Sequence, residues 1–177
     1  MSQLSLHDQA VLNCVFNPNL PIGEASEKDE PKDTEECTSE VLATKSMEIE
    51  AIQVAEKGDL NKGLNILNEA IKIAPKRPSL FNNRANVYQY MRQFEDAFDD
   101  LTTAIALCTE HHQKTLCQAH CQRGVLHKRA DRIELARADF EKAAELGSKF
   151  AKSQLIELNP YAALCNQMLR KVMEKLN

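Results

Sequence analysis

Cysteine and histidine side chains crowd into a short stretch in the second half of this 177-residue chain. Thiolates and imidazoles are the ligands that Zn²⁺ prefers, and four of them normally complete a structural site. Six such residues lie within 14 positions: Cys108, His111, His112, Cys117, His120 and Cys121. Their spacing fits no standard finger or ribbon. We therefore favour small thiols packed between helices, with histidines in a loop, over a metal site.

A cysteine beside a histidine base could instead act as a catalytic nucleophile. The pairs Cys117–His120 and Cys121–His120 are too generic to indicate one. The sequence shows no glycine-rich phosphate loop and no recognised hydrolase motif. We predict a protein that is not an enzyme and has no cofactor. A zinc or redox-thiol protein stays open as an alternative.

A nearby acidic cluster has no glycine-bearing loop that would suit calcium. We expect it to be a solvated flank of a helix: Asp96, Asp99 and Asp100.

The composition is that of an ordinary globular protein, with 43% hydrophobic and 27% charged residues. The formal charge of −4 argues against nucleic acid as a partner, and no apolar run is long enough for a membrane helix. The first residues lack the features of a secretory signal. We therefore expect a cytoplasmic monomer whose cysteines are reduced thiols.

The elements that carry these residues form an internal repeat. Segments 44–77, 78–111 and 117–150 align in one register, and residues 112–116 are inserted before the third. Positions 8, 20 and 27 are small in every segment, and position 24 is large and apolar. The residues are Ala51, Ala85 and Gly124 at position 8; Gly63, Ala97 and Ala136 at position 20; Ala70, Ala104 and Ala143 at position 27; and Leu67, Leu101 and Phe140 at position 24. This pattern predicts two closely crossing helices per repeat and an all-α, three-repeat helical solenoid.

The flanking segments differ in character from the repeats. Residues 1–23 are predicted to form a short helix and a turn. Residues 24–43 are predicted to be a disordered acidic linker, because eight acidic residues oppose two lysines between positions 24 and 40. Residues 151–177 are predicted to be capping helices for the open end of the solenoid. They carry an apolar stripe: Tyr161, Leu164, Met168, Leu169 and Val172.

The 34-residue period and its small-residue pattern resemble the tetratricopeptide repeat. With Asp8-Gln9-Ala10-Val11-Leu12, Phe16-Asn17-Pro18 and the tail Leu158-Asn159-Pro160-Tyr161, nearly the whole chain resembles the tetratricopeptide repeat protein 36 family. That resemblance implies a non-enzymatic adaptor. It also implies binding to heat-shock-70-class chaperones and to a client enzyme, with links to tyrosine catabolism and cilium assembly.

Many chaperone-binding proteins of this repeat class grip a C-terminal carboxylate with lysine, asparagine and arginine side chains. At the corresponding positions this chain has Glu48, Ile52, Asn83, Gln118 and Gln122. Only Asn83 matches, and Glu48 would repel a carboxylate. We therefore expect chaperone binding not to use this grip.

The first helix of each repeat is expected to line a concave face. Its candidate partner-binding residues are Asn82, Asn83, Asn86, Gln89, Tyr90, Gln122, Lys128 and Arg129. Amide side chains suit a peptide backbone, and the two basic residues suit an acidic side chain. We predict an adaptor that binds protein partners here. The alternatives are self-binding of the N-terminal helix, or a structural subunit that docks through the C-terminal apolar stripe.

Overall fold

Short polar side chains fix where several helices begin. Thr38, Asp59 and Ser148 each precede a helix and accept a hydrogen bond from the backbone N–H three residues on. The computed structural model describes residues 31–35, 38–159, 161 and 168. Within them lie α1 (Ser39–Glu56), α2 (Leu60–Ile73), α3 (Pro78–Tyr90), α4 (Phe94–Leu107), α5 (Gln113–Arg129), α6 (Ile133–Glu145) and α7 (Lys149–Glu157).

The helices pack as three consecutive pairs joined by short turns, which makes the partners antiparallel. α1 packs on α2, α3 on α4 and α5 on α6, and each pair coincides with one predicted repeat. The first helices of neighbouring pairs also touch, because α3 contacts both α1 and α5. α7 packs on α6 and covers that end of the array. The predicted all-α, three-repeat solenoid is confirmed.

Small residues lie fully buried where the two helices of a repeat cross. The alanines at positions 8, 20 and 27 of the repeats have no exposed surface. A Cβ added to Gly63 would lie 3.0 Å from the carbonyl oxygen of Ala51, and one added to Gly124 would lie 2.8 Å from the ring of Phe140. Close helix crossing is therefore the reason for these small residues.

The turn inside each repeat contains a left-handed residue at the same register position. Gly58, Arg92 and Asp131 have φ angles of 97°, 62° and 57°. A left-handed backbone brings Cβ close to the following carbonyl oxygen, at a cost of roughly 1–2 kcal/mol for a residue other than glycine. Of these three residues, only Gly58 marks a turn in the sequence, because glycine adopts a positive φ without a steric cost.

Repeats two and three each contain a largely buried ion pair that joins the two helices of the repeat. Arg84 donates to both carboxylate oxygens of Asp100 at 2.6 and 2.7 Å. Arg123 donates to both oxygens of Asp139 at 2.7 and 2.9 Å. This two-point geometry fixes the relative orientation of the helices as well as their charge pairing. The prediction that Asp100 belongs to a solvated flank is wrong, because its carboxylate faces Arg84 on the preceding helix.

Residues 31–35, called the strap here, pack against the repeats. One Asp33 oxygen accepts from the backbone N–H groups of Lys114 and Thr115 at 2.8 and 3.1 Å, at the first turn of α5. The Glu35 carboxylate accepts from the Arg77 guanidinium at 3.0 Å, and both side chains are less than a tenth exposed. The acidic residues thus have specific donors. The prediction of a disordered linker over 24–43 is therefore wrong for the strap.

The first helix begins earlier than the repeat boundary at residue 44 suggested. α1 starts at Ser39, where the Thr38 hydroxyl accepts from the N–H of Val41. Residues 39–43 are therefore helical and do not belong to a linker.

Residues 1–30, 36–37, 160, 162–167 and 169–177 lie outside the described part of the chain. The predicted N-terminal helix and turn within 1–23, and most of the predicted cap within 151–177, stay predictions for this reason. Among the described helices, none is long and apolar enough to cross a membrane.

Candidate functional site

Large apolar side chains lie exposed along the first helices of the repeats. They are Ile49 and Ile52 on α1, Tyr90 on α3 and Val125 on α5. They occupy register positions 6, 9 and 13, which follow one face of these helices. Tyr90 is 70% exposed. Apolar side chains gathered on one surface commonly mark an interaction site.

A groove of about 460 Å³ opens between α1 and α3 on this face. Its walls combine apolar side chains with two asparagines and one glutamate: Ile52, Ala55, Leu60, Val87 and Tyr90, with Asn83, Asn86 and Glu56. Of the asparagines, Asn86 is the more exposed. The groove thus offers apolar contact together with amide groups that both donate and accept hydrogen bonds.

Three predicted groove residues, Asn82, Gln89 and Gln122, are engaged in contacts between helices. The Asn82 amide donates to Gln118 at 3.4 Å and accepts from Gln122 at 3.0 Å. Gln122 in turn accepts from Gln89 at 2.6 Å. Because Asn82 is only 3% exposed, its prediction as a partner-binding residue is wrong. This amide network joins α3 to α5 and holds the floor of the concave face in place.

Asn83 is the one residue that matched the carboxylate grip, and an internal carboxylate already engages it. Its amide donates to Glu48 at 2.5 Å. The second oxygen of Glu48 pairs with Arg77 at 2.7 Å, and Arg77 also pairs with Glu35 of the strap. Two carboxylates of the chain itself therefore share this guanidinium. An incoming carboxylate would meet negative charge here, which disfavours the grip.

The two basic residues predicted for the groove also have partners within the chain. Lys128 donates to Gln154 and Glu157 on α7, both at 2.8 Å. The guanidinium of Arg129 lies 4.0 Å from the centre of the Phe94 ring. Lys128 thus anchors α7 and Arg129 makes a cation–π contact. They are less available to an acidic ligand than the sequence suggested.

The cysteine and histidine cluster is divided among separate contacts. Among the described residues no group of three or more potential ligands could hold a metal ion. His120 lies 2.9 Å from Asp139, and His111 contacts Thr34 of the strap at 3.2 Å. Cys121 lies 3.2 Å from the Ser148 hydroxyl, while Cys117 is buried in the third core. These contacts support structural histidines and packed thiols in place of a zinc site.

The C-terminal apolar stripe is described at two of its five positions. Tyr161 and Met168 are both exposed, whereas Leu164, Leu169 and Val172 lie outside the described residues. Docking through this stripe therefore stays a prediction.

The exposed apolar residues of α1 were missing from the predicted site. Ile49 and Ile52 share the register of Asn83 and Asn86, so the repeat alignment already contained the signal. The charge network of Arg77 was also missed. It depends on a contact with Glu35, 42 residues away in the chain, which no local pattern reveals.

Known proteins share both the sequence and the fold of this chain. The family model for the tetratricopeptide repeat matches residues 118–148. The tetratricopeptide repeat protein 36 homolog of Drosophila melanogaster is 45% identical, over 98% of this chain and 96% of its own length. Tetratricopeptide repeat protein 36 of Homo sapiens is 40% identical, over 96% of this chain and 94% of its own length.

Among solved structures, the second TPR domain of human RPAP3, in complex with the HSP70 peptide SGPTIEEVD, has the same fold. Its TM-score is 0.58 at 22% identity, over 68% of this chain and 98% of that domain. The fold is therefore shared with this domain, and the sequence relationship extends over nearly the full length of the relatives. This chain belongs to the tetratricopeptide repeat protein 36 family.

Proposed function

We propose that this protein is a non-enzymatic adaptor that binds an extended segment of a protein partner along its concave face. The observation that carries the proposal is the groove between α1 and α3, where Ile52 and Tyr90 are exposed beside Asn86. The apolar side chains of a bound peptide would pack against Ile52 and Tyr90. The backbone N–H and carbonyl groups of the peptide would then hydrogen-bond to the Asn86 amide.

The rest of the concave face supports the same mode of binding. Val125 continues the apolar surface onto α5, and the amides of Gln89 and Gln122 hold α3 and α5 in a fixed relation. A preformed surface reduces the entropy that a partner must lose to bind. An exposed tyrosine provides a large contact area with few rotatable bonds, and tyrosine is common among the residues that dominate binding energy.

We further propose a heat-shock-70-class chaperone and a client enzyme as partners, on the strength of the family resemblance. The links to tyrosine catabolism, to cilium assembly and to the cytoplasm rest on the same resemblance and on the sequence. The RPAP3 domain is described in complex with an HSP70 peptide that ends in EEVD. In this chain Glu48 and Glu35 already share Arg77, so we expect the chaperone to be bound through a segment other than its terminal carboxylate.

The test is a titration of the purified chaperone, with and without its last four residues, against this protein and two variants. We expect equal affinity for both chaperone forms. Tyr90→Ala should weaken binding about tenfold or more, since loss of a central aromatic side chain costs about 2 kcal/mol or more. Leu135→Ala is the matched control, because Leu135 is an exposed apolar residue on α6, outside the concave face. Loss of binding with the truncated chaperone would contradict the proposed mode.

The second candidate function is a structural subunit that docks through the C-terminal apolar stripe. Exposed Tyr161 and Met168 favour it. Leu169→Asp should abolish this docking and leave groove binding intact, whereas Tyr90→Ala should do the reverse.

A further inference from the structure

Two free thiols of α5 face the end of α6 and the start of α7, and neither has a part in the proposed adaptor function. Cys117 and Cys121 are one helical turn apart. Cys121 is partly exposed, at the register position that Glu48 and Asn82 occupy in the first two repeats. Cys117 is 6% exposed and packs in the third core. The Cys121 thiol is thus the more accessible to a small solute, whereas the Cys117 thiol lies in the core, 3.6 Å from the Ala143 carbonyl oxygen.

Ser148 gives Cys121 a further hydrogen-bonding partner. Its hydroxyl oxygen accepts from the backbone N–H of Ala151 at 3.0 Å, as the N-cap of α7. The hydroxyl proton is therefore free to point at the Cys121 sulfur, 3.2 Å away. The positive end of the α7 dipole lies beside the same sulfur. A helix N-terminus favours ionisation of a thiol close to it.

The contacts between the two thiols have opposite effects on them. Hydrogen bonds with Cys117 and with the Ser148 hydroxyl together lower the pKa of Cys121 to about 7, against the opposing effect of burial. The hydrogen bond to Cys121 and burial together raise the pKa of Cys117. Cys108 is a built-in comparison, because burial and the nearby charge of Asp33 raise its pKa to about 12.

We propose that Cys121 is an oxidation site for a peroxide and that Cys117 resolves it as a disulfide within α5. The Cys121 thiolate attacks one peroxide oxygen. The S–O bond forms as the O–O bond breaks, the leaving oxygen takes a proton, and Cys121 becomes a sulfenic acid. The Cys117 sulfur then loses its proton and attacks the Cys121 sulfur. The S–S bond forms, the S–O bond breaks and water leaves.

The second step requires a local change in the helix geometry. Residues four apart in an α-helix have Cα atoms about 6 Å apart, within the usual disulfide range of roughly 4.4–6.8 Å. Their Cβ atoms are about 5–6 Å apart, further than in a relaxed disulfide. Closing the bond therefore tightens one turn of α5 and leaves a disulfide that thiols reduce readily. Once oxidised, Cys121 also no longer carries the negative charge that opposes ionisation of Cys117.

The test is peroxide treatment of the reduced, full-length protein, followed by trypsin digestion and mass spectrometry. Both thiols fall in one tryptic peptide, residues 115–123, which contains no other cysteine. We expect this peptide to lose two hydrogen atoms while Cys108 stays reduced. In Cys117→Ala, a dione reagent should trap the sulfenic acid on Cys121. In Cys121→Ala, Cys117 should stay reduced. Cys117→Ser serves the same purpose as Cys117→Ala if the alanine variant does not fold.

A second pair of variants tests the role of the serine. Ser148→Ala should slow disulfide formation several-fold, and Ser153→Ala should not, because the Ser153 hydroxyl donates to the Phe150 carbonyl. At pH 7, Cys121 should react with iodoacetamide more than about tenfold faster than Cys108. The proposal is overturned if Cys121 stays reduced under peroxide, if Cys117 is oxidised without Cys121, or if Cys108 reacts as fast as Cys121.

Discussion

Removing the charge of Asp139 should destabilise the third repeat in a way that depends on pH. The carboxylate is 5% exposed and accepts from Arg123 at 2.7 and 2.9 Å and from His120 at 2.9 Å. Asp139→Asn keeps one acceptor oxygen, but it leaves the Arg123 guanidinium without its counter-charge. Breaking a buried pair of this kind by removing one partner costs about 3–5 kcal/mol, and the surviving amide oxygen reduces that to about 2–4 kcal/mol.

The pKa of the same carboxyl gives an independent magnitude. Burial would raise the pKa of Asp139, but hydrogen bonds from Arg123 and His120 outweigh it and lower the pKa from 3.8 to about 2. That difference corresponds to about 2 kcal/mol of stability. Because the pKa is lower in the folded state, this stability is fully present well above pH 3.8 and is lost as the pH falls through 2.

Urea unfolding followed by circular dichroism measures both effects. At pH 7 the free energy of unfolding of the variant should be about 2–4 kcal/mol lower than that of the native protein. Between pH 5 and pH 3 this difference should decrease by about 1 kcal/mol, because the native protein loses the contribution of the ionised Asp139. Asp99→Asn is the control, since Asp99 is exposed on α4 and should change stability little at either pH. A loss below about 1 kcal/mol at pH 7, or a gap that does not narrow with acid, would refute the reasoning.

Two further predictions concern the turns and the strap. Because Gly58 and Arg92 share a left-handed position, Gly58→Ala should lower the free energy of unfolding by about 1 kcal/mol and Arg92→Gly should raise it by up to about 1 kcal/mol. Chemical denaturation checks this, and changes of the same sign would contradict it. The Thr34 N–H donates to the His111 carbonyl oxygen at 2.8 Å. Glu35→Gln should loosen the strap and speed hydrogen exchange at this N–H by about tenfold or more. The exposed Glu40→Gln is its control, and equal exchange rates in the two variants would argue against a strap held by Glu35.

The repeat architecture could be predicted from the sequence because it depends on residue volume at fixed spacing. Alanine or glycine lies at the helix crossings of every repeat, and the structure buries these residues. The turn position was readable only at Gly58. Arg92 and Asp131 adopt the same backbone conformation without a glycine to mark it, because the packed helices on either side impose it.

The candidate site could be predicted from the sequence only in part, because long-range contacts engage several of its residues. Amides at Asn82 and Gln122 look like ligand-binding groups in a sequence, but here they face each other across two helices. The acidic composition of the strap predicted a solvated chain, because composition does not show that Arg77 and the first turn of α5 supply donors. Contacts between residues far apart in the chain decided both outcomes.

The most direct test of the concave face is a quantitative affinity capture from cell extract with three forms of the full-length protein. The native protein and the Leu135→Ala control should retain the same partners. An Ile52→Ala/Tyr90→Ala double variant, confirmed as folded by circular dichroism, should retain at least about tenfold less of them, because a loss of 1.4 kcal/mol already weakens binding tenfold. Equal retention by the double variant and the control would contradict the account, because partners would then bind a surface other than the groove between α1 and α3.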